Sequence, residues 1–135
     1  MAVIGGDIVD ISVAHDTVGV FSLRAKSNED ATRDLGGFRN NDDTNGLDGG
    51  GQNIIIKNRF RWMFEATISS DDNVAEDMQK IVAVAASPLE ANFTYTFASG
   101  VTMGATGTFV GDIQDATNTA TMTIKMSGAG QLIKL

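Results

Sequence analysis

The chain is expected to be mainly β: a β-sandwich or half-open β-barrel with one packed α-helix. Three observations predict this. Apolar residues alternate with polar ones in several short segments, the pattern of strands with one face buried. Fifteen glycines against one proline suggest regular strands punctuated by glycine turns. Only one segment carries helical periodicity, and the single proline, Pro88, ends it. A length of 135 residues suits one domain, 1–135, and a hydrophobic content of 42% is enough to fill its core.

The elements follow in order. Ile8 to Ala14 reads as a strand with Ile8 on one face and Val9, Ile11 and Val13 on the other, and Val18 to Ala25 as its partner with Phe21, Leu23 and Ala25 together. His15-Asp16-Thr17 between them is short enough for a hairpin. Residues 27–52 then lose periodicity. Gly36 to Gly51 consists almost entirely of Gly, Asn, Asp and other turn formers, and is expected to be a long polar loop. Asn53 to Ser69 is the clearest strand, with Phe60, Trp62, Phe64, Ala66 and Ile68 toward the core and Arg59, Arg61, Met63, Glu65 and Thr67 away from it.

A helix is expected next. Asn73 and Glu76 have the spacing of a capping box, Asp71 and Asp72 suit the positive helix end, and Val74, Met78, Ile81, Val82 and Ala85 form one apolar stripe. Phe93, Tyr95 and Phe97 alternate in the following strand. Val101 to Ile113 carries Gly104, Gly107 and Gly111, which suggest bulges or bends. After a turn at Asp115 to Asn118, Ala120, Met122, Ile124 and Met126 alternate in a further strand, and Gln131 to Leu135 is a terminal strand or arm.

Composition narrows the functions. A net charge of −7 argues against wrapping nucleic acid, whose phosphates reward Lys and Arg. The absence of cysteine removes disulfides, thiolate zinc sites and Cys nucleophiles. Met1 to Asp7 lacks the basic and apolar regions of a secretory signal, and the longest apolar stretch, Ile81 to Ala86, is far short of the ~20 residues of a membrane helix. A protein made and kept in water is the expectation.

No catalytic pattern stands out. Asn41-x-Asp43-x-Asn45-Gly46, with Gln52 beyond, approaches a calcium loop, but amides occupy both ends where acidic ligands are needed. His15-Asp16 reads as a turn pair, since sequence neighbours point apart. No serine sits in a nucleophile elbow, and Gly104-Ala105-Thr106-Gly107 lies within a strand pattern with no lysine after it. Neither an enzyme nor a cofactor or metal site is expected. Lys57, Arg59 and Arg61 project from one strand face; because Glu65 follows on that face, a subunit contact or solvated surface is the better reading than a nucleic-acid stripe.

Two C-terminal stretches carry a resemblance. Gly107-Thr108-Phe109-Val110-Gly111-Asp112-Ile113 and Ala120-Thr121-Met122-Thr123-Ile124-Lys125-Met126-Ser127-Gly128-Ala129-Gly130 resemble the end of tail tube proteins of contractile-tailed bacteriophages. The order of elements is also similar. The likeness at residue level covers about the last third of the chain, and the tubes of R-type tailocins and type VI secretion look similar in fold. The resemblance implies a virion structural subunit, made in the host cytoplasm, that forms stacked hexameric rings around passing DNA without binding it specifically. It also implies sheath, baseplate and tape-measure partners, and no membrane. In that family the loop between the second and third strands reaches into the adjacent ring. By position this is residues 27–52 here, with Phe38, Arg39, Asn40, Leu47 and Asp48 as candidate contacts. The rival readings are another tail, baseplate or injection-tube component, and a monomeric ligand-binding β-sandwich such as a carbohydrate-binding module.

Overall fold

The computed structural model describes residues 5–27, 29–40, 45–70 and 76–135. Six antiparallel strands close into a barrel, with one helix packed against it, so the mainly β expectation holds. The barrel strands are β1 (Ile8–His15), β2 (Gly19–Ala25), β8 (Trp62–Ser69), β9 (Ala91–Phe97), β10 (Thr102–Phe109) and β12 (Thr121–Gly128). Around the wall they run β12-β10-β9-β1-β2-β8, and a long β8–β12 ladder from Thr121↔Ser69 to Gly128↔Trp62 returns to the start. Closing the sheet on itself removes most of its edges.

Alternation fills the interior. Ile11, Val13, Phe21, Leu23, Trp62, Phe64, Ala66, Ile68, Phe93, Tyr95, Met122, Ile124 and Met126 are all buried, on the faces expected from their period-two spacing; at the start of β1 a register shift between Ile8 and Asp10 reverses the expectation, burying Ile8 and exposing Val9. Two aromatic pairs cross from β8 to β9, which are not neighbours in the wall. Phe64 stacks on Tyr95 with centroids 4.2 Å apart, and Trp62 meets Phe93 edge-on at 6.0 Å. Opposite walls are thereby pinned by contacts worth about 0.5–1.5 kcal/mol each beyond their burial.

Glycines let the backbones close around Trp62. A Cβ on Gly107 would lie 2.8 Å from the indole and 2.3 Å from the Ser127 carbonyl oxygen; one on Gly128 would lie 2.9 Å from the indole nitrogen. That nitrogen donates to the Thr106 carbonyl at 3.0 Å, and Ser127 Oγ donates to the Trp62 carbonyl at 2.8 Å. Gly104 and Gly107 therefore mark close approach rather than the bulges expected of them: β9 and β10 pair without a register shift from Thr102↔Thr96 to Gly107↔Ala91. Gly111 does sit in a bend after β10, at φ 79°.

The helix, α1 (Asp77–Ala86), stops just before Ser87-Pro88, since the residue before a proline disfavours helical backbone. Its start differs from expectation. Glu76, expected inside the helix, is the left-handed N-cap residue at φ 55° and makes no side-chain cap bond. Asn73, Asp71, Asp72 and Val74 lie outside the described residues. The buried face also differs: Ile81 and Val84 are buried, Met78 is half-buried and Val82 is 45% exposed. Asp77 shares this buried face, its carboxylate paired with Arg24 of β2. Lys80 lies over the Phe21 ring, and Ile81 faces Phe109, Met122 and Ile124.

His15 is buried and serves the first hairpin. Its Nδ1 accepts from the Thr17 and Val18 amides at 3.1 and 3.2 Å, which makes Nε2 the donor to the Leu89 carbonyl at 3.3 Å. His15 ends β1 rather than lying in the turn, which its ring nitrogen caps, and the ring also ties β1 to the segment after α1. Two further short strands border the barrel: β11 (Asp115–Ala116), where a turn was expected, pairs with β12, and β13 (Ile133–Lys134) pairs with β10.

Two measurements check this packing. Ile81→Ala is expected to cost about 2–5 kcal/mol through lost burial and a cavity, read as a lower denaturation midpoint. Tyr95, the chain's single tyrosine, is raised above its ordinary value of 10.0 by burial, with the neighbouring Arg33 opposing that rise. In the unfolded chain the phenol ionises first, so this contribution is intact below about pH 10 and is lost as pH rises through the folded value. Phenolate absorbance is expected to appear together with alkaline unfolding, and Tyr95→Phe to move that unfolding to higher pH.

Candidate functional site: an exposed β-arm

Within residues 32–40 and 45–60, which include most of the segment expected to be a structureless loop, short strands pair into a ribbon. β3 (Thr32–Asp34) pairs with β8 from Thr32↔Glu65 to Asp34↔Met63, inside the main sheet. β4 (Gly37–Asn40) pairs with β7 (Lys57–Phe60), and Gly37↔Phe60 continues the β3–β8 register unshifted. Farther out, β5 (Gly46–Leu47) pairs with β6 (Asn53–Ile54). The ribbon thus starts as barrel wall and leaves it as an arm. With a strand rise of ~3.3 Å per residue, the stretch from 60 back to 53 reaches up to roughly 25 Å. The expectation of a loop failed because turn formers dominate one strand of the ribbon, while the pairing partner lies in the next segment.

The exit from the barrel needs its glycines. Gly36 and Gly37 have φ of 75° and 89°, and a Cβ on Gly36 would lie 2.7 Å from the Trp62 amide nitrogen. Here the C-terminal segment takes over the pairing: Gly36 bridges Gln131, and the Leu132 amide donates to the Leu35 carbonyl at 3.0 Å. Phe60, expected in the core with Trp62, is 43% exposed because the ribbon has already left the barrel beneath it.

All eight candidate contact residues fall on the arm or at its root. Phe38, Arg39 and Asn40 lie on β4, Leu47 on β5, Asp48 in the tip turn, Lys57 and Arg59 on β7, and Arg61 between β7 and β8. The two groups, separate in sequence, meet across the ribbon: Phe38 is opposite Arg59, and Asn40 opposite Lys57. Each face carries a cation over an aromatic ring, with Arg59 5.0 Å from the Phe38 centroid and Arg39 5.1 Å from that of Phe60. Arg39 also pairs with Asp34 at the root.

The tip is tied by its own polar groups. Asp48 Oδ1 accepts from the Gly50 and Gln52 amides at 2.8 and 2.9 Å. Asn45 Oδ1 accepts from the Ile56 amide at 2.9 Å, and its Nδ2 donates to Asn40 Oδ1 at 2.6 Å. Asn45 is thus spent on holding the ribbon. Asn41 and Asp43 of the near-calcium pattern lie outside the described residues, and among the described residues no metal-holding cluster of His, Cys, Asp or Glu occurs.

What the ribbon presents is apolar. Phe38 is 62% exposed and Leu47 71%, and Ile54, Ile55, Ile56 and Phe60 are exposed as well. The isoleucines carried no periodic signal, so sequence reasoning passed over them; an Ile-Ile-Ile run without a second apolar segment to pair with was the available clue. Together these side chains form an exposed apolar surface on a ribbon that stands clear of the barrel core. The chain matches no known family and no curated protein.

The glycine exit has a measurable consequence. Gly36→Ala is expected to lower the melting temperature, through both left-handed strain and the clash with Trp62. Gly50→Ala, at a tip glycine with ordinary backbone and only a 3.4 Å contact to Asp48, is expected to leave it nearly unchanged in the same thermal scan.

Proposed function

We propose that the chain is a self-assembling structural subunit, the tail tube protein of a contractile-tailed phage, forming stacked hexameric rings through which DNA passes. The observation that carries this reading is the arm: a ribbon of barrel wall that leaves the core and exposes phenylalanine, leucine and isoleucine side chains along its length. Such a surface is costly in water and is stabilised by docking on another subunit. Docking of this kind joins two different surfaces, so repetition generates rings where the rotation closes and filaments where it does not. Both arrangements are needed in a tube.

The resemblance of the C-terminal third supplies the phage context, and the charge of −7 suits a channel that lets phosphate slide. The carbohydrate-binding rival wants exposed aromatics on a concave face, whereas Trp62 is fully buried. An enzyme has no support among the described residues, where His15 is occupied by backbone contacts.

Negative-stain microscopy and sedimentation of the purified protein across a concentration series test the reading. Rings or tubes are expected for the wild-type chain. The double variant Leu47→Asp, Ile55→Asp is expected to remain monomeric with an unchanged melting temperature, because both side chains are exposed in the subunit. A wild-type chain that stays monomeric at every concentration would defeat the proposal. Assembled protein is also expected to retain negligible duplex DNA at physiological salt, despite Lys57, Arg59 and Arg61. Tight, salt-sensitive retention abolished by Arg59→Glu and Arg61→Glu would point instead to a nucleic-acid-binding role.

A further inference from the structure

A cavity of about 470 Å³ opens at the root of the arm, lined by Arg33 and Leu35 of the ribbon, Phe97 to Ser99 and Val101 at the β9–β10 turn, Met103, Lys134, and Gly5 and Gly6. Its chemistry runs against that of the chain. The protein has a net charge of −7, yet among the described residues this lining holds two cations and no carboxylate. Leu35, Phe97, Val101 and Met103 supply an apolar surface between them. Arg33 is held in place: its guanidinium lies 4.8 Å from the Phe97 centroid and acts on the Tyr95 phenol. A site of this kind suits a ligand with an apolar side chain beside an anionic group, and its size lies within the ordinary range for binding pockets.

The arm tip has that composition. Leu47, 71% exposed, is followed by Asp48, an exposed carboxylate whose Oδ1 is engaged by the turn amides. The tip cannot serve its own root, because the paired strands β4, β7, β5 and β6 hold it away from the barrel. The chain's C-terminal residue is a poorer occupant, since the Leu135 amide is fixed to the Thr102 carbonyl at 2.9 Å.

We propose that the cavity at the arm root receives the Leu47–Asp48 tip of a second copy of this chain, leucine on the apolar wall and aspartate toward Arg33 and Lys134. This rests on the arm being the self-assembly element, and adds the surface that receives it. Donor tip and receiving root lie at opposite ends of the same ribbon. Each copy can therefore give a tip to one neighbour and accept one from another, a head-to-tail contact that propagates.

The chain's lack of cysteine makes the test clean. A Leu47→Cys protein and a mass-tagged Ser99→Cys protein are mixed under mild oxidation, and the disulfide-linked heterodimer is measured on a non-reducing gel. The control partner is Ser22→Cys, exposed on β2. The Ser99→Cys pair is expected to give at least tenfold more heterodimer than the control, because a disulfide needs its Cα atoms within about 7 Å. Adding Lys134→Glu to the receiving protein is expected to cut that yield severalfold, with circular dichroism confirming the fold. Assemblies visible by microscopy with no cross-linking above control would overturn the tip-in-cavity contact while leaving self-assembly standing. Cross-linking indifferent to Lys134→Glu would overturn the charge recognition. A wild-type chain that never assembles, with no cross-linking, would overturn both this contact and the tube reading.

Discussion

Trp62 is placed where three parts of the structure meet. Its indole fills the barrel interior against Phe93, while its ring nitrogen bonds the Thr106 carbonyl of β10. Its carbonyl receives Ser127 of β12, and its backbone nitrogen stands against Gly36 at the arm's exit. The β10–β12 seam closes through only Thr108↔Ser127 and Phe109↔Met126, with the Val110 amide adding a bond to the Lys125 carbonyl. A seam so short depends on the indole beneath it, and the indole fits only because Gly107 and Gly128 leave room. Cores are packed densely enough that a single added carbon at such a place forces the wall to move.

The same residue divides scaffold from arm. On one side of it β8 is barrel wall, buried on alternate residues through Ile68; on the other, β7 continues the ribbon with every residue exposed. The register passes through this point unshifted, so the barrel's rigidity is transmitted directly into the arm's root. A ribbon built in this way keeps its direction, and in the proposed role it would lose less ordering entropy on association than a free loop. Cation–π pairs on both arm faces add to that order, and they hold Phe38 and Phe60 flat against guanidinium groups in water.

Charge is distributed to match. Carboxylates outnumber cations over the whole chain, yet Arg39, Lys57, Arg59 and Arg61 gather on the ribbon and its root, and Arg33 and Lys134 beside it. Long-range repulsion among acidic surfaces favours solubility of the free subunit, while local complementarity decides which surfaces meet. The two effects are compatible on one molecule because screening confines the second to short range.

Much of the barrel was legible in the sequence, because a half-buried strand leaves a two-residue period whatever it pairs with. Ile11, Phe21, Leu23, Phe64, Ile68, Tyr95 and Ile124 announced their buried faces in this way, and Pro88 announced the end of the helix. The residues of the arm were also legible individually, as a glycine-rich polar segment and a cationic strand face. Tertiary structure alone decided that these two stretches pair into one arm, since hydrogen bonding between strands leaves no mark in composition. It likewise decided that Phe60 is exposed and Trp62 buried, although both obey the same alternation, because the wall ends between them. The helix rotation follows the same logic: Asp77, paired with Arg24 more than fifty residues away, lies on the buried face with Ile81 and Val84. Local periodicity records which side of an element avoids water, while partner choice depends on contacts between residues distant along the chain.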